Sequence, residues 1–203
     1  MTALGGDVAR AKLAATLLLT LPGLPFVYYG EEIGMVGDKP DERIRTPMQW
    51  DAGPNAGFTR GTPWEALQPG WAATNVVAQR ADTGSLLARY RRLIRLRADR
   101  PALGAADIDV LDAHDARVAA YLRRAGDEAV LVVANLAAVP LSDITISSAG
   151  PLLRPGDYRV TPLLGVSGSG GLAIGADGRL SGYVPVRTLA PLEASVLELS
   201  RTR

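Results

Sequence analysis

Several side chains in this sequence have types and spacings that suit chemistry. Glu31 and Glu32 are adjacent carboxylates, the raw material of acid–base or nucleophilic work. Neighbouring residues on a loop usually point apart, however, so their expected role is structural: accepting backbone hydrogen bonds at the base of a turn. His114-Asp115 sits between two apolar alternating runs, where a surface turn between β-strands is expected. Arg45 follows Asp41 and Glu42. Its planar, permanently charged guanidinium suits vicinal hydroxyls or a carboxylate, and it would equally pin the loop by a salt bridge to either acid. Trp50, Trp64, Trp71 and Phe58 could stack on a ligand ring, although aromatic residues in a long loop more often anchor it. Asp38, Asp41 and Asp51 lack the alternating oxygen ligands and bidentate glutamate of a calcium loop, so no metal is expected.

The elements that position these groups are legible from periodicity. Residues 7–19 are helix-compatible, with Asp7 as a cap and Pro22-Gly23 as the stop. Residues 24–29 form an apolar, aromatic run without polar alternation, the pattern of a strand covered on both faces. A long irregular segment then runs from 30 to 79 and carries all three tryptophans; such loops are usually functional. Residues 82–99 read as a second helix, with Leu86, Leu87, Tyr90, Leu93 and Ile94 inward and Arg89, Arg91, Arg92 and Arg95 on a solvated face, ended by Pro101.

Beyond about residue 105 the period changes to two. Strands are expected over 107–111, 118–122, 129–136, 144–146, 158–164, 172–174, 183–189 and 195–199, separated by turn signals such as Gly126-Asp127. Short strands at this spacing point to an antiparallel β-sandwich. The expected fold class is therefore α/β plus all-β, divided into residues 1–104 and 105–203.

Composition excludes more than it identifies. Lys plus Arg number 22 and Asp plus Glu 21, so a net charge of +1 gives no reason to expect nucleic acid or an anionic membrane as partner. The chain has no cysteine, which removes disulfides and thiolate metal sites and leans toward a cytoplasmic home. The apolar run 13–21 falls short of the ~20 residues that span a bilayer, and the acidic Asp7 ahead of Arg10 and Lys12 is unlike a signal peptide.

The segment LPGLPFVYYGEEIGM at 21–35 resembles the eighth barrel strand and following loop of the α-amylase superfamily of glycoside hydrolases. RTPMQW at 45–50 and NAGF at 55–58 resemble the next loop in its α-glucosidase, oligo-1,6-glucosidase and trehalose synthase branches. The resemblance implies that residues 1–104 are the last αβα portion of a (β/α)₈ TIM barrel (helix seven, strand eight, long loop, helix eight), with loops after the strands facing an active site. It implies retaining hydrolysis of an α-glucoside or maltooligosaccharide by two carboxylates ~5 Å apart. In the family those carboxylates and a third come from the fourth, fifth and seventh strands, which have no counterpart among these residues, so an upstream barrel half would be required and the chain alone would be inactive. Arg45 is implied to contact the innermost sugar, with Asp41 and Gln49 beside it, while Glu31, Glu32 and Trp50 hold the loop. No cofactor is implied. Only nine residues, 36–44, separate Met35 from Arg45, shorter than in typical oligo-1,6-glucosidases. Trehalose synthases share a short loop but commonly carry Gly-Asp-Glu where this chain has Gly30-Glu31-Glu32. Two alternatives stand beside a hydrolase: a trehalose synthase-type transglycosylase or isomerase, and a non-catalytic carbohydrate-binding β-sandwich.

Overall fold

The computed structural model describes residues 1–202 and divides into two compact units. One comprises Met1–Ala15 and Leu24–Ile94; the other comprises Thr16–Gly23 and everything from Arg95 onward.

Helix α1 spans Val8–Thr20. Asp7 caps it, its Oδ1 accepting from the amides of Ala9 at 2.8 Å and Arg10 at 3.2 Å. In the first unit the short helices α2 (Asp41–Ile44) and α3 (Val76–Ala81) interrupt the long loop. Asn75 caps α3 through its Oδ1, which accepts from the Ala78 amide at 2.8 Å, while its Nδ2 donates to the carbonyls of Trp71 and Ala72. Helix α4 spans Leu86–Asp99 and starts four residues later than its periodicity predicts. The reason is local: Asp82 spends its Oδ1 on the Gly84 amide at 2.7 Å, turning the chain, and Ser85 takes over as cap through the Ala88 amide. Ile33, Met48 and Val76 form one buried cluster of this unit, and Leu86, Tyr90 and Leu93 are buried along α4.

Residues 24–29 take no regular strand structure. Their apolar side chains stand exposed, Leu24 by 78% and Phe26 by 81%. A strand exists only through ladder bonds to neighbours, and among the described residues none supplies them.

Among its described residues the second unit contains α5 (Pro101–Gly104) and eight strands: β1 (Asp109–Val110), β2 (Val118–Ala125), β3 (Glu128–Asn135), β4 (Leu141–Ser142), β5 (Gly156–Leu164), β6 (Leu172–Ile174), β7 (Thr188–Leu189) and β8 (Ala194–Arg201). Pro101 both stops α4 and occupies the first turn of α5, where its missing N–H costs nothing. Six strands form one antiparallel sheet in the order β1-β2-β3-β8-β5-β6, and β4 pairs with β7 separately. The β2–β3 hairpin closes on Gly126 at φ +59° and Asp127, pairing Ala125 with Glu128. Pro162 sits where β5 lacks β6 as a neighbour, and the register with β8 shifts there.

One face of the large sheet, including Leu122, Leu131 and Leu197, packs with Ile146, Leu180 and Leu189 into the main core. The alternation expected of a half-exposed strand fails in β3, where residues 129–135 are all buried. The other face of β2 and β3 is covered in part by α5, so the run reads apolar throughout. Strands expected over 144–146 and 183–189 shrink to isolated bridging and the two-residue β7. The observed arrangement is thus one large sheet with a small two-stranded pair rather than two comparable sheets.

Candidate active-site cleft

The end of residues 24–29 turns through Gly30 and Gly34, both left-handed at φ +86° and +82°. At φ +86° Gly30 holds a backbone conformation that side chains rarely adopt, and an added Cβ would also press on Met35 Sδ at 2.5 Å. The Met35 amide donates to the Gly30 carbonyl at 2.9 Å, closing a loop that holds Glu31 and Glu32. The two glutamates then diverge. Glu31 Oε1 accepts from the Tyr90 hydroxyl at 2.9 Å, and the tyrosine's pKa is raised by burial first and by this carboxylate second. Glu32 instead lines an open cleft of about 390 Å³, together with Tyr29, Arg45, Trp50, Phe58 and Trp64. Its Oε2 is buried and meets no hydrogen-bond partner among the described residues. Thr46 Oγ1, in the same cleft wall, is likewise buried and unpaired.

Arg45 ends α2, and its Nη2 lies 3.4 Å from Asp41 Oδ2. Asp41 also binds Lys39 Nζ, and Lys39 first, Arg45 second among the cations, hold its carboxyl below the usual range. The Arg45–Asp41 pair is half-exposed, leaving guanidinium N–H groups available to a ligand. Tyr29 donates its hydroxyl to the Thr46 carbonyl at 3.0 Å and stacks obliquely on Tyr28 at 4.9 Å between centroids. Burial, then Tyr28, raises the Tyr29 pKa, with Arg45 opposing.

The opposite wall is built by a turn of unusual backbone. Asn55, Ala56 and Gly57 are all left-handed, and the Ala56 carbonyl accepts from the amides of Trp50 and Asp51 at 2.9 and 3.2 Å. Asp51 Oδ1 accepts from the Gly53 amide at 2.7 Å. Trp50, Phe58 and Trp64 remain 45–59% exposed around the cleft. Gln49 points elsewhere: it is 2% exposed and borders a second cavity, with Gln68 and Gln79.

Aromatic faces beside a guanidinium and a carboxylate suit a ligand with C–H faces and many hydroxyls. What the cleft lacks is a convergent carboxylate pair, since Glu31 is turned to Tyr90. His114 and Asp115 lie in an exposed turn, tied to Asp112 and Arg117 respectively. Among the described residues no group of three or more His, Asp or Glu side chains could hold a metal ion, and no helix is long and apolar enough to cross a membrane. Sequence reasoning placed Tyr90 on the buried face of α4 but did not pair it with Glu31, nor Thr46 with the cleft, because such contacts join segments without a shared period.

Residues 1–106 match the alpha-amylase family, described as the alpha amylase catalytic domain. Glucan 1,6-alpha-glucosidase of Streptococcus pneumoniae is 36% identical over 162 residues, covering 62% of this chain and 30% of that protein. Trehalose synthase of Thermus thermophilus is 43% identical over 149 residues, covering 67% of this chain and 15% of that protein. The chain thus spans less than a third of the length of these curated relatives. Among solved structures, trehalulose synthase MutB of Pseudomonas mesoacidophila aligns with a TM-score of 0.69 at 28% identity, over 95% of this chain and 38% of that one.

Proposed function

The chain belongs to the alpha-amylase family, and on that footing we propose that it contributes the sugar-facing loop after the eighth barrel strand to a retaining α-glucoside or α-glucan hydrolase of α-glucosidase or α-amylase type. Residues 1–104 are the closing αβα portion of the TIM barrel, and residues 105–203 are its carboxy-terminal β-sandwich. The nucleophile, the acid and the third carboxylate come from other barrel strands, and the substrate is an α-glucoside or maltooligosaccharide.

The observation that carries this reading is the cleft itself. Arg45 stands with unused N–H donors beside Trp50, Phe58 and Trp64, and Glu32, one of whose oxygens is buried without a partner, lines the same space. In the assembled site Arg45 grips the hydroxyls of the innermost glucose, and Asp41 holds the guanidinium in place. Gln49, turned to the second cavity, takes no part in holding the sugar, and Glu31, Glu32 and Trp50 keep the base of the loop in shape. Retaining chemistry needs two carboxylates ~5 Å apart across the bond to be cut, a requirement that Glu31 and Glu32 do not meet. A second reading, a trehalose synthase-type transglycosylase or isomerase, is favoured by the 43% identity to a trehalose synthase.

The test joins residues 1–203 to the remaining barrel strands of a family member and follows glucose and trehalose release from maltose and isomaltose. Arg45→Ala should lower kcat/KM by about tenfold to a hundredfold, the loss of one or two charge-assisted hydrogen bonds. Free glucose as the main product supports the hydrolase, and trehalose from maltose supports the isomerase. A hybrid whose activity ignores Arg45→Ala would sink the assignment.

A further inference from the structure

Helix α1 ends without the usual glycine cap directly behind it, and its last carbonyls are satisfied from far away in sequence. Arg97 donates from Nη1 to the Leu19 carbonyl at 3.0 Å and the Leu21 carbonyl at 2.9 Å, and from Nη2 to the Gly23 carbonyl at 2.6 Å. Arg123 donates from Nη1 to the Thr20 carbonyl. The remaining nitrogens of Arg123 bind the Asp107 carbonyl at 2.9 Å, the Leu103 carbonyl at 3.4 Å and the Ala105 carbonyl. Tyr121, two residues earlier on the same face of β2, places its hydroxyl 2.6 Å from Thr20 Oγ1, which in turn donates to the Thr16 carbonyl.

Arg123 is 0% exposed, its hydrogen bonds go to backbone carbonyls, and the charge of Asp107 acts on it from nearby. Burying a charge is costly unless fixed dipoles replace water. Here the dipoles are the carbonyl ends of α1 and α5, the negative poles of two helices. Lysine could not substitute, because only the guanidinium fork reaches carbonyls on several sides at once. Burial, and then the positive charge of Arg97, lowers the Arg123 pKa, with Tyr121 and Asp107 opposing, and the convergent carbonyls supply further negative potential at the pair.

We propose that Arg97 and Arg123 are positioning residues that act together as a latch on the end of α1 and the turn 21–23, from which the chain runs into residues 24–29 and the cleft loop. The latch is assembled from a helix, a strand and the start of the β-rich region, so the unit built on the large sheet includes residues 16–23 as a working part. This inference stands on geometry alone and does not depend on what the cleft binds.

Hydrogen exchange on the full chain, without any substrate, tests it. Arg97→Met leaves the main core untouched and should speed exchange of the amides of Leu19, Thr20 and Leu21 by about tenfold or more, while the amides of β3 keep their rates. Arg123→Lys retains the charge but loses the fork and should give the same local pattern. If either variant leaves residues 19–21 unchanged, or speeds β3 by the same factor as residues 19–21, the latch is wrong and the arginines only add to global stability. Should Arg123→Lys fail to fold, the Arg97→Met profile decides.

Discussion

The two compact units solve the burial problem in opposite ways. From Arg95 onward a single sheet buries β3 on both faces, and its core holds eighteen buried residues, from Leu111 to Leu199. The unit containing Leu24–Ile94 buries fewer apolar side chains, among them the Ile33, Met48 and Val76 cluster and Leu86, Tyr90 and Leu93 on α4, and leaves Phe26, Tyr28, Trp50, Phe58 and Trp64 nearly half exposed or more. Apolar surface left in water on that scale marks a binding or assembly face. One unit is built around a large buried core; under the proposed function the other is completed by ligand in the cleft and by neighbouring strands along residues 24–29.

Core truncation should separate the two most sharply. Leu131→Ala, in the middle of β3, is expected to cost about 3–5 kcal/mol in urea denaturation, because the packed sheet cannot collapse into the space. Met48→Ala in the smaller cluster should cost only about 1–2 kcal/mol, since it has fewer neighbours to lose. Equal costs would erase the contrast.

The next effect belongs to the loop. Asn75→Ala removes the cap of α3 and two further bonds to Trp71 and Ala72, and should destabilise the first unit by about 1–2 kcal/mol, read as protease sensitivity between residues 60 and 80.

Alkaline titration sharpens the comparison from the other side. Burial pushes the Tyr121 hydroxyl up to about 12, above the ordinary tyrosine value. A raised folded pKa favours the protonated form, so its contribution is complete below pH ~10 and disappears as pH climbs through ~12. Tyr121→Phe should cost about 1 kcal/mol at neutral pH and flatten the stability loss in that window. Smallest of all, Arg45→Ala should shift stability by no more than about 0.5–1 kcal/mol, since the Asp41 pair is half-exposed. A larger shift would make Arg45 a loop pin rather than a ligand-binding group.

Legibility in the sequence followed the same division. Where period and turn chemistry agreed, as in β2, Gly126-Asp127 and β3, the element and its partner could be read directly. The strand over 24–29 was legible as a pattern yet is not formed, because a buried strand is defined by neighbours outside its own residues. The cleft was half legible: Arg45, Glu32, Trp50 and Trp64 stood out by chemistry, whereas the unpaired state of the Glu32 oxygen and the whole of Thr46 became visible only in the structure. The Arg97–Arg123 latch left no periodic trace, since carbonyl acceptors carry no residue identity.

Under the proposed function this chain shapes a sugar site without holding its catalytic carboxylates. Glucose release from maltose, isomaltose and a chromogenic α-glucoside by the purified chain alone measures that directly. The account predicts none above the uncatalysed rate. Turnover that disappears in Glu31→Gln or Glu32→Gln would contradict it, and would place the chemistry on the loop that is assigned here to structure and binding.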